Sequence, residues 1–444
     1  MVSPSPLASQ KDTFDRILSD AVVSKSTAAL FFGVTTVDGP IYNGTAGKKL
    51  VDDPASQSID EDTLYWLCSQ TKLITTIAGL QLIERSKITL DTLVETVLPE
   101  LADPVLVTGY DETGSVRTTT PAKGKMTFGQ LLNHSSGLDY WVDGTTPSND
   151  LPRAYTYRYK DGEDVSTFFK ILKGSLPGVP LKFEPGTDFG YGFSTDCVGF
   201  IVERLSGKTL EQYFQDHIFE PLGITSASFY LTPLLKDRLL PLSFRTKSGD
   251  IERWKGPSVI EQDPTRVRVH FGGVGLYASQ KDYLTVLRHL LQIIGTYIYS
   301  CGIDFAYPHP VMNVKFCIRI AAGRATAPIL SRASVDSMFA PTLTSTGTAS
   351  VRDFVHLLHP LLKLPAAGAQ FGCGLFVNTV DVPGKRRAGS GAWDGYATTS
   401  FFVDPRSGVA AVFATQLLPM GDATHEQMYD ALERELYAGF EARL

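Results

Sequence analysis

Ser69 and Lys72, in the run "LYWLCSQTKLITTIAGLQLIE", form the one Ser-x-x-Lys of the chain. The run passes from an extended apolar stretch into a helical pattern. A helix advances about 100° per residue, so residues three positions apart share a face. A serine in the first turn also sits at the positive end of the helix dipole, where unpaired N–H groups favour negative charge developing during acyl transfer. An unassisted serine is a weak nucleophile and requires an adjacent base. Lys72 can be that base once burial poises its ammonium for deprotonation, and Leu67, Leu73 and Ile74 supply apolar surroundings. The same spacing also fits an ordinary capped, solvated first turn, so further groups must decide.

Two further segments carry such groups. "FEPGTDFGYGFSTDCVGFIVERLSG" turns at Pro185-Gly186 and starts a helix near Ser194-Thr195-Asp196, leaving Tyr191 in the loop before it. A phenol there can pass a proton between the serine, the lysine and a leaving group, given nearby positive charge to lower its pKa. One of eighteen tyrosines in an aromatic loop can equally well simply pack. "RRAGSGAWDGYATTSFFVDPRSGVAAVFATQ" reads as three short strands, with turns around Gly395 and from Asp404-Pro405 to Gly408. Trp393-Asp394-Gly395-Tyr396 falls at the start of the middle strand or just before it. A strand edge beside the serine offers a second oxyanion donor to complement the N–H of Ser69. A plain hairpin with a packed tryptophan fits the same residues.

Taken together and in order, these elements resemble the serine β-lactamase and penicillin-binding superfamily, whose Ser-x-x-Lys is followed by a tyrosine motif and then a strand motif. The resemblance is strongest to the class C-like esterase branch and to fungal transesterases of the lovastatin type, and covers nearly the whole chain. "LLNHSSGL" at 131–138, "EPLGI" at 220–224 and "GGVGLYASQKDYLTVLRHLL" at 272–291 are similar in kind and order. The resemblance implies an acylated Ser69, Lys72 as its proton partner, Tyr191 as shared acid and base, and an oxyanion between the N–H groups of Ser69 and Tyr396. Trp393, Gly395 and Tyr396 would then border the substrate. Two departures stand out. Tyr191-Gly192-Phe193 replaces Tyr-x-Asn, losing the amide that contacts a β-lactam side chain. Trp393-Asp394-Gly395 replaces Lys-Thr-Gly, losing the cation that would hold a substrate carboxylate. Both argue against penicillin hydrolysis and for an apolar acyl or polycyclic ligand.

The elements that must position these groups follow from the rest of the chain. A helix around 11–24 leads to strands near 28–35 and 40–46 and then to the nucleophile helix at 69–85; residues 89–207 are mostly helix and loop. Helical patterns return in "LEQYFQDHI" and "DYLTVLRHLLQII", and strands precede a final helix, "HEQMYDALERELYAGF". Terminal segments supplying one antiparallel sheet, flanked by helices and interrupted by a mainly helical insertion, make an α+β fold of the β-lactamase/transpeptidase kind. The expected division is 1–88 with 208–444 as the sheet domain, and 89–207 as the helical one. The aromatic run at 140–162 can line an acyl pocket or anchor a surface loop. Residues 295–321 interrupt the pattern with aromatics of no clear period, and two readings stay open: a lid loop, or a retained intron.

With 444 residues, 43% of them hydrophobic and 20% charged, the chain can bury a large core. A net charge of −6 gives no reason to expect nucleic acid or an anionic membrane as partner. The first twenty residues lack the apolar core of a secretory signal and no stretch is long enough to span a membrane, so a cytoplasmic enzyme is expected. The five cysteines, at 68, 197, 301, 317 and 373, are scattered, against a disulfide framework or zinc site. His356 and His359 lie three apart without an acidic residue at ligand spacing, and read as surface or capping residues. No metal and no cofactor is expected.

The expected function is therefore a serine acyltransferase moving an acyl group through Ser69 to the hydroxyl of a small hydrophobic metabolite. The family's transesterases imply a carrier-protein or coenzyme A thioester as donor, and so a polyketide synthase as a partner. A carboxylesterase, in which water accepts the acyl group, uses the same residues; a non-catalytic binding protein is the reading from another class.

Overall fold

The computed structural model describes residues 10–142, 151–256, 259–300, 327–359, 361–362, 364–365 and 368–441. Its centre is an antiparallel sheet of seven strands: β1 (Ala29–Thr36), β2 (Gly39–Gly47), β3 (Ala369–Phe371), β4 (Phe376–Asn378), β5 (Ser390–Gly395), β6 (Thr399–Asp404) and β7 (Val409–Ala414). They lie in the order β3-β4-β5-β6-β7-β1-β2. The N-terminal hairpin thus joins the C-terminal strands through β1 and β7, with Phe31 opposite Ala414 and Thr36 opposite Val409.

The inner strands are apolar along their length because both sheet faces are covered. Every residue of β6 and β7 is buried. Successive side chains of a strand point to opposite faces, and β6 shows what each face meets. Phe401 packs on Tyr283 of one helix, at 5.3 Å between ring centroids, and Phe402 on Tyr437 of another, at 6.1 Å. Six helices matter for the site: α1 (Lys11–Val23), α2 (Thr71–Glu84), α3 (Ser194–Ser206), α4 (Gln280–Ser300), α5 (Ser345–Leu358) and α6 (Ala423–Glu441). Tyr283 belongs to α4 and Tyr437 to α6.

The helix α2 is buried from Thr71 to Leu82, as expected of a helix apolar around its whole circumference. Gly79 lets α3 approach it: a Cβ there would lie 3.0 Å from Val198. Ser69 enters α2 through a 3₁₀ turn, Cys68–Gln70. The turn hangs from a short ribbon in which Leu64–Trp66 pairs with Tyr277–Ser279. The backbone of Trp66 is clamped by Gln416, whose amide accepts from its N–H at 3.1 Å and donates to its carbonyl at 3.0 Å.

Helices and strands expected at both ends of the chain are present within a few residues of the anticipated bounds. Residues 89–207 additionally hold a small three-stranded sheet of Val105–Tyr110, Val116–Pro121 and Pro180–Leu181, which the exposed, Thr-rich "VRTTTP" does not announce by alternation of hydrophobicity. The helix α4 runs on to Ser300, so the first residues of the irregular stretch 295–321 continue it. The rest of that stretch, with Cys301 and Cys317, lies outside the described residues. Cys68, Cys197 and Cys373 are buried free thiols. Among the described residues no helix is long and apolar enough to cross a membrane.

Candidate active site

Ser69, Lys72 and Tyr191 come together, although Tyr191 is far from the pair in sequence. Lys72 is 2% exposed and Ser69 8%. The lysine Nζ lies 3.3 Å from the Ser69 Oγ and 4.7 Å from the centroid of the Tyr191 ring. Burial drives the Lys72 pKa down to about 7, against the opposing attraction of Asp196. A lysine so placed is neutral in a substantial fraction of molecules near neutral pH, as a proton acceptor for Ser69 must be.

Tyr191 departs from expectation in one respect. Burial is the largest influence on its phenol and raises the pKa; hydrogen bonding with Ser69 and Trp393 only partly offsets this. The nearby lysine faces the ring rather than the hydroxyl. The phenol is therefore held in its protonated form, against the phenolate.

The loop carrying Tyr191 is pressed against the segment 134–140. Gly190 donates its N–H to the His134 carbonyl at 2.9 Å and Tyr140 donates to that of Tyr191 at 3.2 Å. Gly192 permits this contact, since a Cβ would lie 2.2 Å from the Leu138 carbonyl oxygen. Phe193, where β-lactamases have the asparagine, is buried and packs on Tyr140 and Tyr155 at 4.8 and 5.6 Å.

Trp393 lies inside β5, which ends at Gly395, and not at the start of the middle strand as its turn pattern suggested; Tyr396 opens the turn before the middle strand β6. Gly395 abuts the backbone ahead of Ser69: a Cβ would lie 2.6 Å from the Leu67 carbonyl oxygen and 3.3 Å from the Cys68 Cβ. Cys68 itself has φ +49°, a left-handed conformation uncommon for a residue with a side chain. Trp393 does more than offer an apolar wall. Its indole N–H donates to the Tyr191 hydroxyl at 3.2 Å, and its ring stacks on Phe354 at 6.1 Å.

Three residues were not singled out from the sequence. Lys72 also donates to the Tyr140 hydroxyl at 3.1 Å and to the Gly273 carbonyl at 2.9 Å. The Tyr140 hydroxyl is 2.9 Å from that of Tyr155, which donates to Asp196 Oδ2 at 2.6 Å. Tyr140 and Tyr155 belong to the aromatic stretch 140–162, of which 143–150 lie outside the described residues. The density of tyrosines is the signal the sequence offers for two of them; Asp196 stands there only as part of a helix start.

His359 corrects the reading of the paired histidines. It caps α5 as anticipated, but its ring is held between two carboxylates from distant parts of the chain, Asp394 at 2.7 Å and Glu426 at 2.8 Å. They raise its pKa to about 10 despite burial. Asp394 follows Trp393 on β5, so this ion triad braces the far side of the strand that borders the serine. No group of histidine, cysteine and acidic side chains among the described residues could hold a metal ion.

Residues 14–435 match the family described as Beta-lactamase. The chain belongs to that family. It is 29% identical over 422 residues to a lovastatin esterase of Penicillium rubens, covering 90% of this chain and 92% of that one. It is 27% identical over 388 residues to a monacolin J acid methylbutanoyltransferase of Aspergillus terreus, covering 86% and 83%. Among solved structures it superposes on unliganded simvastatin synthase (LovD) from Aspergillus terreus with a TM-score of 0.76 and 26% identity, over 98% of this chain and 99% of that one. The family membership and the fold anticipated from the motifs are thus both found.

Proposed function

We propose that the protein is a serine acyltransferase that carries an acyl group on Ser69 from a thioester or ester donor to the hydroxyl of a small hydrophobic, polyketide-type metabolite. The observation that carries this reading is Lys72, buried beside Ser69 with its pKa lowered to about 7. In the first half-reaction Lys72 takes the Ser69 proton as Oγ attacks the acyl carbon. The carbonyl oxygen gathers charge against the N–H groups of Ser69 and Tyr396. The departing thiolate or alkoxide leaves with a proton delivered through Tyr191, and Lys72 restores the phenol. The acceptor alcohol then enters, loses its proton by the same route reversed, and leaves as the ester with Ser69 regenerated.

The named relatives bear on donor and acceptor. The relative named a monacolin J acid methylbutanoyltransferase supports a short branched acyl group and an acceptor of the monacolin J acid kind. A carrier-protein or coenzyme A thioester is the donor we favour, with a polyketide synthase as partner and the cytoplasm as location. Residues 89–207 supply Tyr140, Tyr155, Tyr191 and Asp196, and the remainder supplies Ser69, Lys72 and Trp393; this supports placing the site between the two proposed domains. Hydrolysis is the second reading, favoured by the lovastatin esterase relative. A purely binding role does not account for a lysine buried at such cost beside a serine.

Substrate class gives the test. With Trp393 in place of a lysine, a ligand carboxylate has no fixed cation there, at a cost of roughly 1–3 kcal/mol. Short p-nitrophenyl esters and acyl thioesters should turn over, penicillins and cephalosporins should not, and Ser69→Ala should remove at least about 99.9% of the ester activity. Efficient β-lactam hydrolysis, or an active Ser69→Ala protein, would contradict the reading.

A further inference from the structure

A neutral lysine has two N–H groups and one lone pair, and to act on Ser69 its lone pair must face the serine. Both N–H groups then need acceptors elsewhere. The Gly273 carbonyl is an acceptor by nature, but a tyrosine hydroxyl can accept or donate. Were Tyr140 to donate to Lys72, it would occupy the lone pair and disable the base.

The polarity of Tyr140 is decided two residues away. Asp196 is fully buried on α3, and both its oxygens accept: Oδ2 from the Tyr155 hydroxyl at 2.6 Å and Oδ1 from the Gly273 N–H at 2.8 Å. With the Tyr155 proton committed to the carboxylate, Tyr155 can only accept from Tyr140. Tyr140 in turn can only accept from Lys72. The second arm of Asp196 fixes the very peptide whose carbonyl takes the other lysine N–H. The two arms close a ring running Asp196, Tyr155, Tyr140, Lys72, Gly273 and back. Gly273 must be glycine to lie there, because a Cβ would come within 2.6 Å of Asp196 Oδ2.

We propose that Asp196 is a positioning residue that sets the direction of the hydrogen bonds around Lys72, holding Tyr140 and Gly273 as acceptors so that the amine lone pair is left for Ser69. This rests on the acyl-enzyme reading of Ser69 and Lys72. It adds to that reading a role for a carboxylate that never touches the substrate.

Asp196→Asn tests it with almost no change of shape. An amide offers one acceptor only. With its oxygen kept on the Gly273 N–H, its NH2 donates to Tyr155, Tyr155 donates to Tyr140, and Tyr140 donates to Lys72. The expected loss in kcat/KM for p-nitrophenyl butyrate is about 100-fold, the scale of a disabled general base, with KM little changed. Fluorophosphonate labelling of Ser69 should slow in parallel. The acid limb of the pH profile should move to lower pH, because the anion that favours the ammonium form is gone.

Tyr140→Phe separates this from a structural effect. It removes the last donor of the reversed chain, so in that background Asp196→Asn should cost less than about tenfold, whereas a packing role would cost the same in both backgrounds. Equal penalties, or a folded Asp196→Asn protein with wild-type rate and limb, overturn the proposal. If Asp196→Asn does not fold, Tyr155→Phe is compared in the same two backgrounds: it leaves the Gly273 arm intact, and a penalty that Tyr140→Phe does not relieve is again contrary. A wild-type protein that never labels at Ser69 would overturn the acyl-enzyme reading itself. A labelled wild type with an indifferent Asp196→Asn overturns only the role of Asp196.

Discussion

At the scale of single residues, the protonation state of Lys72 governs the account. Its pKa lies near 7 because burial penalises the ammonium, whereas a solvated lysine titrates about three units higher. With Lys72 as the proposed base the active form is the neutral amine, so activity should rise with pH as Lys72 loses its proton. We expect kcat/KM for a neutral ester to climb about tenfold per pH unit below the midpoint near 7 and to level off above it. A profile still rising steeply at pH 9, where an exposed lysine would begin to titrate, contradicts a buried base. The pairing of Ser69 with Lys72 was legible in the sequence because a helix returns them to one face; Tyr191 stood out only through the resemblance to the family's tyrosine motif, since its place before a helix start fits a packed residue equally well. Its contacts were not. The hydrogen bond from Trp393 and the charged clamp on His359 join residues far apart in the chain, and no local pattern encodes such pairings.

At the scale of elements, the site depends on how closely β5 is laid against the turn that carries Ser69. Gly395 is the contact point, with room for no side chain between Leu67, Cys68 and Thr399. A methyl group at this position would push the strand end and Tyr396 away from Ser69. Donors placed beside a developing oxyanion are worth about 100-fold to 1,000-fold each. Gly395→Ala should therefore lower kcat by at least about 100-fold while circular dichroism shows the fold retained; an unimpaired Gly395→Ala enzyme would remove Tyr396 as an oxyanion donor. The three C-terminal strands were readable from their turns and continuous apolar runs. The small sheet within 89–207 was not, since its exposed edge strand "VRTTTP" buries no face and takes its order from pairing with Val105–Tyr110.

At the scale of the whole molecule, one sheet built from both ends of the chain holds β5 beside the turn of Ser69, while the intervening segment brings the tyrosines and Asp196. The family and fold were legible because three short motifs recur in a fixed order over most of the chain. The choice of acceptor was not, because transfer and hydrolysis share the same catalytic groups and differ in how well the cleft orders an alcohol and excludes water. Intact-mass measurement of the protein with a short-chain acyl thioester, followed by addition of a hydrophobic alcohol, separates them. An acyl adduct should form on Ser69, be absent in Ser69→Ala, persist in water and disappear on adding the alcohol with formation of the ester. An adduct that water discharges as fast with the alcohol as without it would rule out acyl transfer, and no adduct at Ser69 would rule out the acyl-enzyme.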